Sequence, residues 1–267
     1  MAIVPFWVDF PPFRPLFKEI CQKFGFEMEL EIEARNFLYH YLHHSDPQGL
    51  VEEITHSANR KIICFIGAGP NLVSHIQKIR QMWNAQRDRF YLVAADGSAN
   101  ALIRIDLYPD LVISDFDGLS VQQMQFLLQK GAILCLLAHG DNYTHIEGYQ
   151  SLLSSDLRVI GTTQAPAMYP IINPGGFTDG DRGLFLMHHL LQLDQPFFLF
   201  GYAFEGPIGA YSKPNFDQDM PLTPFKNKKL QVCEHLLHLL SSRWHRQILF
   251  FDEDEVEQKI RWLIFSS

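Results

Sequence analysis

The segment Ile62-Ile63-Cys64-Phe65-Ile66-Gly67-Ala68-Gly69-Pro70 decides the fold: an apolar run passes directly into a glycine-rich turn. The pattern then recurs along the chain. Residues 91–95 run into Asp96-Gly97-Ser98, and 111–114 into Asp115-Phe116-Asp117-Gly118. Residues 133–138 run into His139-Gly140-Asp141-Asn142, and 158–160 into Gly161-Thr162-Thr163-Gln164. Short apolar runs separated by helix-length segments predict parallel βαβ units. The fold class is therefore α/β, a Rossmann-like, mostly parallel sheet with helices on both faces. In such sheets ligands bind outside the carboxyl ends of the strands, so these polar loops share one rim.

Around this block, residues 1–57 read as an N-terminal helical region and 58–267 as the α/β unit. Pro11, Pro12 and Pro15 mark an entry turn, a second helix spans about 28–44, and a short third one covers 50–57. Helices are predicted at about 71–84, 98–105, 120–129, 144–154 and 180–193. A strand follows at 196–200. Residues 202–224 are rich in Gly, Pro, Ser and Asp, and a loop of that length in a compact domain is usually functional or mobile. A helix over 225–244, a strand over 247–251 and a helix over 254–265 close the chain.

Net charge is −8, from 22 basic and 30 acidic residues, which argues against nucleic-acid binding. No apolar stretch approaches the ~20 residues of a membrane span. The opening Met1–Trp7 lacks the basic start and long apolar core of a signal peptide. Cys21, Cys64, Cys135 and Cys233 have no zinc spacing and read as core thiols of a reducing cytosol.

Asp115 and Asp117 are the sharpest pair. Residues two apart in extended chain share a face, and Gly118 frees the backbone after them. Two carboxylates suit Mg²⁺, which binds through one or two carboxylates plus substrate phosphates; DxDG is also turn chemistry. Asp96 and Asp141 at neighbouring strand ends favour the metal. Gly67 and Gly69 open a helix, where backbone amides hold phosphates, or form a plain tight turn. Leu72 stands where a dinucleotide fingerprint needs its third glycine. Asp96-Gly97 sits where a ribose-binding acid falls in dinucleotide folds. His139 stands beside Asp141 as a structural or a catalytic imidazole. His40, His43 and His44 read as surface residues of one helix. Residues 175–182 form the densest loop: Thr178 or Asp179 fits a helix cap, and Arg182 a bidentate phosphate contact. Lys226, Lys228 and Lys229 open a helix against its dipole, a conflict that an oligophosphate would remove.

In this order the motifs resemble the archaeal 6-hydroxymethyl-7,8-dihydropterin pyrophosphokinase (MptE-like) family and, more distantly, the catalytic domain of thiamine pyrophosphokinase. The resemblance rests on 67–70, 95–97, 109–118, 139–142, Thr162-Thr163-Gln164, 175–182, Gly209-Ala210-Tyr211-Ser212 and Lys228-Lys229-Leu230, and spans nearly the whole chain. It implies Mg²⁺-dependent pyrophosphoryl transfer from ATP to a hydroxymethyl acceptor, a pterin, with AMP released. It implies metal ligation by Asp96, Asp115, Asp117 and Asp141, and catalysis by Asp115, Asp117, Asp141 and His139. Nucleotide contacts fall to Gly67, Gly69, Asp96, Gly97, Thr163, Asp179, Asp181, Arg182, Lys226, Lys228 and Lys229. Tyr202-Ala203 stands where the family has Met-Asp, and Pro174 where it has Phe, so variation is expected at the acceptor side. The rival readings are a glycosyltransferase-like protein using a nucleotide-activated sugar and a nucleotide-binding module without turnover. The partners are then ATP and a pterin-like molecule, with no nucleic acid and no membrane; homo-oligomerisation stays open, and the location is cytoplasmic.

Overall fold

The computed structural model describes residues 9–154, 158–252 and 254–265; the opening Met1–Trp7 read above lies outside them. Seven strands form one parallel sheet: β1 (Ile62–Ile66), β2 (Phe90–Ala95), β3 (Leu111–Ser114), β4 (Ile133–Ala138), β5 (Val159–Thr163), β6 (Phe197–Phe200) and β7 (Ile248–Phe250). Their order is β5-β4-β3-β2-β1-β6-β7. The chain steps outward from β1 to β5, returns to the far side of β1, and continues outward. The reversal lies between β1 and β6, and such a switch point opens a crevice at the strand ends.

Both faces of the sheet are covered, which is why its inner strands are apolar throughout. Alternate side chains feed two cores. Ile62, Cys64, Ile66, Leu92, Val112 and Leu134 point into one, and Ile63, Phe65, Val93, Ile113, Cys135 and Leu199 into the other. The first core takes α2 (Met28–Leu42), α4 (Leu72–Ala85), α5 (Ser98–Ile103), α6 (Val121–Gln129), α7 (Tyr143–Gly148), α8 (Gln150–Leu153) and α11 (Asp254–Phe265). The second takes α1 (Phe13–Phe24), α3 (Pro47–Ala58), α9 (Asp179–Leu190) and α10 (Pro224–Ser242). All four cysteines are free and buried, in keeping with core thiols.

The expected helix over 144–154 is two short helices, α7 and α8, which meet at Tyr149. Helix α1 begins at Phe13, so Pro15 sits inside its first turn, where the missing amide has no intrahelical partner to lose. Helix α2 crosses the β4–β5 side. Gly161 admits it: a Cβ there would lie 2.5 Å from Ile171 and 2.9 Å from Leu42. That close approach brings Glu31 of α2 to the sheet rim. Among the described residues no helix is long and apolar enough to cross a membrane.

Candidate active site

The ends of β1 to β6 meet at a cavity of about 350 Å³. At its floor, backbone from β1 and β6 nearly touches. A Cβ on Gly67 would lie 2.7 Å from the Gly201 carbonyl, and one on Gly201 2.3 Å from the Gly67 carbonyl. The Gly67 amide donates to Phe200 O at 2.8 Å and the Gly69 amide to Gly201 O at 2.7 Å. These two amides are therefore spent inside the fold rather than offered to a phosphate. The glycines line the cavity because only backbone fits there.

Beside that floor, Asp96, Asp115 and Asp117 each bring a carboxylate oxygen to within 4.8 Å of the others. Asp96 ends β2 at φ 47°, and Phe116, between the other two, sits at φ 73°. Both are unfavourable for residues with a side chain and are held by the surrounding structure. The Ser114 hydroxyl donates to Asp96 Oδ1 at 2.6 Å and accepts from the Phe116 amide at 3.0 Å. A Cβ on Gly118 would lie 1.8 Å from Asp96 Oδ2, and one on Gly97 2.2 Å from the Tyr211 carbonyl. Burial raises the Asp96 carboxyl well above the usual range, and the negative charges of Asp115, Asp179 and Asp117 push it further. Burial also pushes Asp115 up, but hydrogen bonds with His139 and Asp117 outweigh it and hold Asp115 below the usual range. Asp115 Oδ1 is buried and has no hydrogen-bond partner; the same holds for Oδ1 of Asp179, at the start of α9.

His139 stands between two acids. Its Nε2 lies 3.5 Å from Asp115 Oδ2 and its Nδ1 2.9 Å from Asp141 Oδ1. Burial pulls its pKa down, yet the hydrogen bonds to Asp115 and Asp141 raise it to about 9. Asp141 does not join the three-carboxylate group. Its side chain follows the Gly140 turn outward, is 90% exposed, and holds His139 instead. Asn142 fixes this loop: its Oδ1 accepts from the His139 amide, and its Nδ2 donates to Leu137 O at 2.8 Å and Asp115 O at 3.2 Å.

Positive charge surrounds the acids. Lys226 and Lys229 line the cavity, whereas Lys228 is exposed and faces away, as helical spacing requires: positions three apart share a face and positions two apart do not. Burial lowers the Lys226 pKa, and the charges of Lys229 and Lys213 lower it further. Lys213, which sequence reasoning missed, forms an ion pair with Asp117. The signal was its place directly after Gly209-Ala210-Tyr211-Ser212 in the long loop.

The start of α9 behaves differently. Asp181 is fully buried and accepts from the Phe177 amide, the Thr178 amide and the Thr178 hydroxyl. Arg182, also fully buried, donates to Thr163 O at 3.3 Å and Gly176 O at 2.8 Å. Thr163 Oγ1 accepts from the Ala165 amide at 3.0 Å. None of the three lines the cavity: Asp181 caps a helix, and Arg182 ties β5 to the Gly175-Gly176 turn. Thr178 and Asp179 do line it. The opposite wall comes from the turn between α1 and α2 and from α2 itself, including Phe26 and Glu31. Sequence reasoning had no handle on this wall, because the contact is made 109 residues apart, from Glu31 to the Gly140 amide.

Residues 36–202 match the protein family described as 6-hydroxymethylpterin diphosphokinase MptE-like. The chain is 30% identical over 247 residues to the 6-hydroxymethyl-7,8-dihydropterin pyrophosphokinase of Methanocaldococcus jannaschii, covering 88% of this chain and 97% of that one. It is 30% identical over 240 residues to the protein of the same name from Pyrococcus furiosus, covering 89% and 96%. A solved glycosyltransferase, MAf from Magnetospirillum magneticum, aligns with a TM-score of 0.42 at 13% identity, over 79% of this chain and 38% of that one.

Proposed function

Since the chain belongs to the MptE-like 6-hydroxymethylpterin diphosphokinase family, we propose that it moves a pyrophosphoryl group from ATP to the hydroxymethyl oxygen of 6-hydroxymethyl-7,8-dihydropterin. The chain is a diphosphokinase of the transferase class. In the reaction the alcohol oxygen bonds to the β-phosphorus of ATP, the bond from that phosphorus to the α–β bridging oxygen breaks, and AMP leaves. The alcohol proton passes to a rim carboxylate or to water.

One observation carries this reading. Asp96, Asp115 and Asp117 and the ring of Lys213, Lys226 and Lys229 open onto one cavity. Acids at the centre and lysines around them match a cation-bound oligophosphate; neither set alone would. Mg²⁺ fits the donors present, which are hard carboxylate oxygens, one of them buried and unpartnered at Asp115 Oδ1. Asp96, Asp115 and Asp117 would hold it, and when bound it neutralises charge on the transferring phosphoryl group. The remaining work is positioning and electrostatics, as phosphoryl transfer requires. Ser114 and Gly118 fix Asp96. The three lysines bind phosphate oxygens. His139, with its two ring nitrogens on Asp115 and Asp141, holds Asp115 in place at the cavity. Of the N-terminal region 1–57, the described residues 9–57 are helical and border the acceptor end, with 58–267 as the catalytic unit. Asp179 adds a carboxylate at the phosphate side, and Gly97 admits the Tyr211 carbonyl beside the acids.

The test is AMP formation from ATP with Mg²⁺ and 6-hydroxymethyl-7,8-dihydropterin. AMP and pyrophosphorylated pterin should appear in equal amounts, with none when the pterin is omitted. Tight ATP binding without AMP would leave a non-catalytic module. Release of a nucleoside mono- or diphosphate from an activated sugar would point to glycosyl transfer.

A further inference from the structure

Glu31 is a buried carboxylate that the phosphate chemistry does not use. It is 3% exposed and lines the same cavity as the acids. Its Oε1 accepts the Gly140 amide at 3.1 Å, while its Oε2 is buried without a hydrogen-bond partner. Among the described residues no cation lies within ion-pair distance of it. The charged groups around it are His139, Arg182 and Asp141; Arg182 donates to backbone carbonyls and His139 bridges two other acids. A carboxylate withdrawn from water with one oxygen unsatisfied costs stability unless something supplies donors.

The surroundings of Glu31 describe what that donor must look like. Phe26 and Phe177 line the cavity with their ring centroids 6.3 Å apart, and Phe24 lies 5.3 Å from Phe26. Leu30 and Phe225, 40% and 55% exposed, stand at the cavity rim. Aromatic and aliphatic side chains dominate this side of the cavity; Glu27 and Lys229 also line it, Lys229 with its Nζ 5.6 Å from the Phe177 ring centroid, and Glu31 is the buried acid among them. A carboxylate takes two parallel N–H donors from one edge of a planar group. Adenine offers a donor beside an acceptor on its corresponding edge, so the acid would repel half of it. A 2-amino-4-oxopyrimidine edge offers an exocyclic N–H beside a ring N–H, which is the complementary pair.

We propose that Glu31 is the specificity-determining residue for the acceptor, binding the 2-amino and ring N–H edge of a pterin while the hydroxymethyl group points to the carboxylates. The assignment rests on the pterin reading of this site. It also places the determinant in the N-terminal helical region, outside the strand-end loops. Gly140 is part of the arrangement: a Cβ there would lie 3.0 Å from Glu31 Oε1 and press the carboxylate out of place.

The experiment compares 6-hydroxymethyl-7,8-dihydropterin with 6-hydroxymethyl-7,8-dihydrolumazine, in which oxygen replaces the 2-amino group, by direct fluorescence titration and in the AMP assay. Wild type should favour the pterin about 10- to 100-fold, the cost of losing a hydrogen bond to a charged group. Glu31→Gln should raise the KM for pterin by a similar factor, leave the KM for ATP within about twofold, and erase the preference between the two ligands. Equal binding of both by wild type, or unchanged KM and preference in a folded Glu31→Gln, overturns the assignment. If Glu31→Gln does not fold, the wild-type titration decides alone. Absence of AMP from wild type with either ligand overturns the diphosphokinase reading instead, and the titration still tests Glu31.

Discussion

Two acid-rich segments are alike in sequence and different in use. The turn after β3, Ser114-Asp115-Phe116-Asp117-Gly118, directs its carboxylates into the cavity and leaves Asp115 Oδ1 unpartnered. The first turn of α9 carries Asp179, Asp181 and Arg182 and engages two of the three internally: Asp181 on three donors around Thr178, Arg182 on two carbonyls. Charge density in a segment therefore does not by itself mark chemistry. What separates Asp115 and Asp179 from Asp181 and Arg182 is whether leftover hydrogen-bonding capacity lies at the cavity: Arg182 Nε is also unpartnered but does not line it, and the orphan amides of a helix N-terminus absorb the capacity of Asp181.

Asp117→Asn draws the line most sharply. Turnover should fall about a thousandfold, equivalent to about 4 kcal/mol of transition-state stabilisation, with the melting temperature nearly unchanged. An unaltered rate at saturating Mg²⁺ would place Asp117 with the structural acids. Asp181→Ala should do the reverse. It strands buried donors at Phe177 and Thr178 and should cost about 3 kcal/mol of stability in urea unfolding, while the folded fraction keeps its activity within a few-fold. Loss of turnover at unchanged stability would erase the contrast.

A pH titration reaches the base of the second segment. His189 Nε2 lies 3.0 Å from the Pro174 carbonyl, just before Gly175. Burial lowers both His188 and His189 to about 4, with help from the Arg246 charge. The unfolded chain takes up these protons near 6.5. Between the two values the folded state binds fewer protons, so stability falls as pH drops from about 6.5 to about 4. Comparing wild type with a His188→Gln/His189→Gln variant should isolate a difference of about 2 kcal/mol after solvent screening. Parallel pH curves would refute it. The smallest effect lies on α10: Lys226→Met should raise the KM for ATP about tenfold, about 1.4 kcal/mol, and Lys228→Met should leave it unchanged. Equal effects would mean that the helix presents a different face.

The legible parts were those that local pattern controls. Strand positions, their shared rim, and the Asp96, Asp115 and Asp117 cluster follow from a repeat read along the chain, because a parallel sheet aligns its strand ends by construction. Arg182 and Thr163 were read toward a ligand because a sequence records charge and polarity, not whether backbone carbonyls already face the side chain. Asp141 lies at the expected strand end, yet the Gly140 turn aims it outward. Glu31, Lys213 and the wall at Phe26 are placed by contacts more than ninety residues apart, which no local window reports.

The near-contact of Gly67 and Gly201 has a consequence for how such an enzyme changes. Backbone alone builds that floor, and added bulk on either glycine would force β1 and β6 apart. The cavity floor is thereby barred from gradual remodelling by side-chain replacement. The walls facing it come from the α1–α2 turn and from residues 202–224, segments that enter from either side of the β1–β5 block. A lineage can exchange those two borders, and with them the proposed acceptor side, while inheriting the floor and the carboxylate cluster unaltered.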